Sequence, residues 1–224
     1  MGQALGLILI ILGIAAVTLV ILYSLMQIMS KSNAQRILQY GRDREYFIYE
    51  MLSNTFTKGS VLRNLYFPVV TKEGTFDTEV DIVCVTRGGI AVLEIKGIKG
   101  KINSPPAKTW TQRYGKKIIQ FENPYIQNEG HVKAITNALE KRGISNVPIR
   151  NYVVFTDIHT QFTHNYPWLL RSDNLVDTIE RLDDKLVLTR RDQRIISQIM
   201  KNHKRRRHMT FKQKNKHQKG RNRR

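Results

Sequence analysis

Asp81, Glu94 and Lys96 are the residues of this chain whose types and spacing could do chemistry. Asp81 interrupts the run Glu79-Val80-Asp81-Ile82-Val83-Cys84-Val85, and Glu94 and Lys96 interrupt Ile90-Ala91-Val92-Leu93-Glu94-Ile95-Lys96. Both runs are apolar on both alternating faces, the pattern of strands covered on two sides. Arg87-Gly88-Gly89 between them predicts a tight hairpin. With Arg87-Gly88 as its loop, Thr86 pairs with Gly89 and Asp81 lies across from Glu94, their Cβ atoms roughly 4.5–5.5 Å apart, with Lys96 projecting from the same face. Two carboxylates this close in a low dielectric repel one another unless something positive sits between them. A divalent cation does that. Mg²⁺, or Mn²⁺ in its place, takes oxygen ligands and keeps several waters, so Asp81, Glu94 and the backbone carbonyl of Ile95 make a suitable open set. Lys96 is then placed to orient a water or to stabilise charge on a phosphate oxygen. The competing reading makes Glu94 and Lys96 an exposed edge pair and Asp81 a loop acid. A one-residue slip of register would turn the two acids to opposite faces.

The elements that must hold these residues are legible as periodicities. Residues 33–54 read as a helix, with Leu38, Gly41, Glu45, Ile48 and Leu52 on one stripe. Glu45 on that stripe is either a further carboxylate for the metal or an acid satisfied by a partner. Strands are predicted at 61–67, 79–86 and 90–96, and a hairpin across 109–120 with Tyr114-Gly115-Lys116 at its tip. Asn123-Pro124 opens a helix to about Arg142, Asn as N-cap and Pro in the first turn. On it Gln127 and His131 lie four apart, with Ala134 and Ala138 continuing the face. Gln127 faces a phosphate, a base or a metal-bound water, or else holds a structural hydrogen bond; for His131 the structural role is favoured. A strand at 150–156 and helices at 173–182 and 189–203 complete the order. It describes an α/β protein, a mixed sheet flanked by helices.

Composition sets the surroundings. The 224 residues carry 37 Lys and Arg against 18 Asp and Glu, a formal charge of +19. Twelve of those basic residues fall between Lys201 and Arg224, where there is no acid, so the body is mildly basic and the end strongly so. A single cysteine, Cys84, excludes an internal disulfide and reads as a small core hydrophobe.

These residues resemble a known family. Asp81 followed by Glu94-Ile95-Lys96 on the next strand is similar to the PD-(D/E)xK nuclease signature. The wider pattern resembles the nuclease-related, or NERD, domain: residues 41–45, Val80-Asp81-Ile82-Val83, Gly89-Ile90, Gly100-Lys101-Ile102, Trp110, Asn123-Pro124-Tyr125-Ile126-Gln127 and Val153-Val154-Phe155-Thr156. The resemblance covers roughly residues 38–157. It implies a restriction-endonuclease-like core and Mg²⁺-dependent cleavage of DNA, with RNA as the other candidate polymer. By position it makes Asp81 and Glu94 metal ligands, Lys96 the catalytic lysine, Glu45 the acid of the first helix and Gln127 an active-site accessory. The chain departs from the family in having Arg44 where Gly often precedes that Glu, and Ile82 where His often follows the Asp.

From Ala4 to Met29 the sequence is nearly continuous Leu, Ile, Val, Ala and Met without a charge. That length suffices for a hydrocarbon core of roughly 30 Å. Met1-Gly2-Gln3 lacks the basic start of a cleaved leader. Lys31, Arg36, Arg42 and Arg44 follow the run, so the positive-inside rule puts the body in the cytoplasm. The sequence thus predicts a single-pass transmembrane helix over residues 1–30, a NERD nuclease-like domain over 31–200 and a basic disordered tail over 201–224. In the tail, Lys204, Arg205, Arg206, Arg207, Lys212, Lys214 and Lys216 are expected to bind nucleic acid or anionic lipid. The function expected is a membrane-anchored, metal-dependent DNA nuclease. The rival is an inactive scaffold of the same fold that holds nucleic acid or anionic lipid.

Overall fold

The computed structural model describes residues 2–71 and 74–204, with the side chains of residues 2–13, 15, 28, 31–34 and 37 outside that description. The chain divides into two compact units, residues 1–43 and residues 44–224. Helix α1 (Gly2–Thr55) begins in the first and ends in the second. Its first part leaves Ile14, Leu19, Val20, Met26 and Met29 at least half exposed. Among the described residues no helix is long and apolar enough to cross a membrane. Residues 4–13, 15 and 28 of the expected span lie outside the described side chains. Leu38, which periodicity put on the same stripe as Ile48 and Leu52, is 60% exposed, whereas those two are fully buried.

The second unit is built on a five-stranded sheet in the order β1-β2-β3-β7-β9. Its strands are β1 (Val61–Thr71), β2 (Gly74–Thr86), β3 (Gly89–Lys96), β7 (Ile149–Phe155) and β9 (Leu169–Arg171). Pairing is antiparallel from β1 to β3 and parallel from β3 to β9, a mixed sheet. Thr86 pairs with Gly89, the register that the Arg87-Gly88 loop predicts. The loop is pressed into its surroundings, because a Cβ at Gly88 would stand 1.7 Å from the Leu182 carbonyl oxygen. Arg87 clasps the same helix end through Asp183 at 2.6 Å.

Helices cover both faces, which is why β3 reads as apolar throughout. On one face Val83, Ile90 and Val92 pack against Ala134, Ile135 and Leu139 of α2 (Pro124–Glu140) and against Ile196, Ile199 and Met200 of α4 (Arg190–Asn202). On the other, Ile82, Ala91, Leu93 and Ile95 meet Ile48 and Leu52 of α1 and Leu175, Ile179 and Leu182 of α3 (Leu175–Asp183). Cys84 lies in this second core, where burial pushes its thiol far up and keeps it a neutral hydrophobe. The period of two in a strand therefore puts Glu94 and Lys96 on the α2 face, with Ile90 and Val92.

A smaller sheet follows β3, in the order β6-β5-β4-β8. It comprises β4 (Lys101–Asn103), β5 (Thr109–Tyr114), β6 (Lys117–Glu122) and β8 (Gln161–Phe162). Ile102 and Trp110 from it share a third core with Val153, Phe155 and Leu169. The short strands β4, β8 and β9 carry too few residues to show a period and are not foreseen in the sequence. At the other end, His203 belongs to the fold rather than to a tail: its ring stacks on Phe67 at 4.2 Å and its Nδ1 lies 3.1 Å from the Tyr66 carbonyl oxygen. Lys204 is exposed, and the remaining expected tail, with Arg205, Arg206, Arg207, Lys212, Lys214 and Lys216, lies outside the described residues.

Candidate active site

The site forms where β2 and β3 part company. Their ladder ends at Ile82 and Leu93, while β2 goes on pairing with β1 through Val80 and β3 goes on pairing with β7 through Lys96. In the fork the Asp81 carboxylate accepts a hydrogen bond from the Ile95 N–H at 2.8 Å. The pleat also breaks here. Val80 and Val83, three apart, both feed the core beneath α2, as do their β1 partners Leu65 and Leu62. Between Leu62 and Leu65 stands Asn64 in the left-handed region, φ 54°, with its Oδ1 buried and without a hydrogen-bond partner. Because strict alternation is suspended, Asp81 can reach sideways to β3 instead of standing above or below the sheet.

Glu94 is 2% exposed, a buried carboxylate in mid-strand. One oxygen, Oε1, accepts from the Lys96 ammonium at 2.7 Å, and that ammonium also donates to Gln127 Oε1 at 3.1 Å. The other oxygen, Oε2, is buried and accepts no hydrogen bond; His131 Nδ1 lies 3.6 Å from it. Burial, then the Glu94 charge, hold the Asp81 carboxyl well above the usual carboxylate range, with a further push from Glu45, against the lowering pull of the Ile95 N–H and Lys96. Glu45, half-buried on α1, is thus close enough to be felt at the fork. Asp81 and Glu94 thus share the charge of one lysine, Lys96, at the fork.

Helix α2 closes the site. Asn123 caps it by accepting from the Tyr125 N–H at 3.0 Å, and Pro124 occupies the first turn, so Gln127 arrives one turn in, against Lys96. One turn further, His131 stands over Glu94. Its setting is fixed by a residue the sequence reading passed over. Asn128 is fully buried, and the two N–H groups of its amide are shared among the Val92 carbonyl at 2.9 Å, Asn151 Oδ1 at 2.8 Å and the Tyr152 carbonyl at 3.1 Å. Those acceptors fix its orientation and leave Oδ1 facing His131 Nδ1 at 3.2 Å. An acceptor there requires Nδ1 to carry the proton. That argues for the Nδ1–H form, and burial, with Lys96 in addition, lowers the imidazole pKa against the raising pull of Glu94. The available signal for Asn128 was its place one turn before His131 on the buried face of α2; Asn151, beside Arg150 at the start of β7, carried none. Ile82, where the family often has His, packs in the core with Ile48 and Leu52 and takes no part.

The residues fit a cation. Glu94 Oε2 is a buried acceptor without a donor among the described residues, and the Asp81 carboxyl is pushed up by burial and then by the Glu94 charge. Among the described residues no group of three or more His, Cys, Asp or Glu side chains is arranged to hold a metal. Two carboxylates completed by backbone oxygen and water suit Mg²⁺, which dehydrates reluctantly, better than they suit zinc.

Fold and site together define an α/β protein with two acids and a lysine gathered at the splayed end of a mixed sheet. The chain belongs to the nuclease-related domain family, NERD, whose pattern matches residues 40–156, just over half of its length. It is also similar to an uncharacterized protein of Bacillus anthracis, 35% identical over 104 residues, which are 46% of this chain and 48% of that protein. The chain therefore spans about half the length of the curated relative it matches. No solved structure matches it.

Proposed function

We propose that this chain is a metal-dependent nuclease of the PD-(D/E)xK type, with a restriction-endonuclease-like core, hydrolysing phosphodiester bonds of DNA. The observation that carries the reading is the buried Glu94 Oε2, without a hydrogen bond, in a fork shared with Asp81 and Lys96. Asp81, Glu94 and the Ile95 carbonyl would hold Mg²⁺ or Mn²⁺. When bound, the ion supplies Lewis-acid polarisation of the phosphate and lowers the pKa of water. The protein's own groups do the positioning. Lys96 spends two of its three ammonium donors on Glu94 and Gln127, and the third is available to a water or a phosphate oxygen at the opening. Gln127 keeps that ammonium from collapsing wholly onto Glu94, and the Glu45 charge adds to the forces that raise the Asp81 pKa.

The apolar, uncharged stretch from Ala4 to Met29 and the basic residues after it support a single-pass anchor with the body in the cytoplasm. The basic end from Lys204 supports polyanion binding, to nucleic acid or to anionic lipid. The test is incubation of the purified chain with supercoiled plasmid or with RNA, in Mg²⁺ and in EDTA. The expected result is nicking of the plasmid that needs Mg²⁺ and disappears in Glu94→Gln. Cleavage that persists in EDTA, or in Glu94→Gln, overturns the proposal; a preference for RNA overturns its substrate.

A further inference from the structure

The smaller sheet carries a concentration of positive charge, of which Lys99 lies 5.4 Å from the centre of the Tyr114 ring. From Lys99 to Glu122 there are six basic residues, Lys99, Lys101, Lys108, Arg113, Lys116 and Lys117, against one acid, Glu122. All six are exposed. None of them takes part in a salt bridge among the described residues. Two are set directly against each other: Lys101 pairs with Arg113 across β4 and β5. The same row runs through Gln161 on β8 and Ile118 on β6, all four exposed, so it lies across the outer face of the sheet. Ile102, Trp110 and Gln112, of opposite parity, are buried beneath it. Like charges directly opposite on adjacent strands destabilise a sheet, and neither member of this pair forms a salt bridge among the described residues. The crossing is tight as well, since Gly100, at φ +97°, would bring a Cβ within 2.6 Å of the Arg113 carbonyl oxygen.

Both ends of this sheet are tied to the fork. Lys101 follows Lys96 by five residues, and Glu122 precedes Gln127 by five. Five residues reach at most about 18 Å, about five steps of a nucleic-acid strand at roughly 3.4 Å each. Ile102 and Trp110 of the small sheet pack with Val153 and Phe155, and these are the β7 partners of Glu94 and Lys96. Gln112 donates to the Lys99 carbonyl at 2.7 Å, which clamps the chain leaving the catalytic strand onto β5.

We infer that the outer face of the β8-β4-β5-β6 sheet, centred on Lys101 and Arg113, is where the phosphodiester backbone of duplex DNA docks beside the fork. Phosphates between two opposed cations turn their repulsion into attraction, and Asn103, Gln120 and Gln161, exposed on the same face, offer amide donors to backbone oxygens. The inference rests on the nuclease reading for its meaning, but its test does not need cleavage.

The test is fluorescence anisotropy of a labelled duplex with the full chain in detergent and EDTA, across a KCl series. Lys101→Glu/Arg113→Glu is expected to weaken binding by roughly tenfold or more near 0.1 M salt and to reduce the salt slope by about two. Lys101→Gln/Arg113→Gln should show the slope change with a melting temperature no lower than the parent's, because the repulsion is gone. Lys141→Glu/Arg142→Glu, at the far end of α2, is the matched charge control and should change affinity less than threefold. Unchanged affinity and slope in the first pair overturn the inference, as does an equal loss in the control. Loss of binding to phosphatidylserine vesicles with DNA binding intact overturns it too, in favour of a lipid surface. A chain that binds DNA through this face yet cuts nothing sinks the nuclease reading and leaves this inference standing.

Discussion

The carboxylate of Asp81 holds the N–H of Ile95 at 2.8 Å just beyond the last rung of the β2–β3 ladder. A side chain there takes a main-chain donor that the diverging strands have left behind. Asp81 is thus both the wedge at the fork and one of the acids facing Glu94, which ties the geometry of the site to the topology of the sheet.

Replacing Glu94 by Gln keeps the shape and removes the charge. Lys96 then faces an amide instead of a carboxylate. Mg²⁺-dependent cleavage is expected to fall by at least about a hundredfold, on the scale of losing one electrostatic contact in a preorganised site. Calorimetric titration with Mn²⁺ should lose its binding heat while circular dichroism stays unchanged. Full activity in this variant is incompatible with a metal at the fork.

The pH dependence of stability follows from Asp81. Its folded pKa is raised, chiefly by burial and then by Glu94. The folded state therefore holds this proton more tightly than the unfolded chain does. The stabilisation is fully present below the ordinary carboxylate pKa and is lost as pH rises through the folded value. In metal-free buffer the melting temperature of Asp81→Asn should gain on that of the parent as pH is raised from about 4 towards neutrality. A difference that stays flat with pH, or shrinks, contradicts the raised value.

His131 should be in the Nδ1–H form, the reverse of the usual preference in water. A ¹⁵N-detected long-range correlation spectrum at neutral pH reads this directly, and an Nε2–H pattern would show that Asn128 is turned the other way. His131→Ala strands Asn128 Oδ1 and leaves Glu94 without its neighbour, a cost of about 1–3 kcal/mol. His131→Asn, which returns a donor near the Nδ1 position, should recover much of that stability in chemical denaturation.

Gly88→Ala tests packing away from the chemistry. Its methyl would collide with the Leu182 carbonyl, a backbone atom that cannot step aside without moving α3. A loss of roughly 3 kcal/mol or failure to fold is expected, at the upper end of overpacking costs. A parent-like melting temperature would mean that the hairpin tip and α3 are not pressed together.

Much of the site was legible because strand and helix periods are local. Two glycines after Arg87 set the hairpin, and the hairpin set the register from Thr86 and Gly89 to Ile82 and Leu93. Asn123-Pro124 set the start of α2 and so the turn that carries Gln127. The sequence alone therefore determined the mixed α/β class, the Arg87-Gly88 hairpin, the start of α2, and the uncharged run of residues 4–29. What it did not contain was the end of the ladder. A pleat break at Asp81 opposite Asn64, the tautomer of His131 set from Asn128 and Asn151, and the opposition of Lys101 and Arg113 all join residues far apart in the chain. Such pairings are chosen by which surfaces bury one another, and no period within a single segment encodes them. For that reason the tertiary structure decided where the buried charge of Glu94 meets its partners and where the exposed charge of the small sheet gathers.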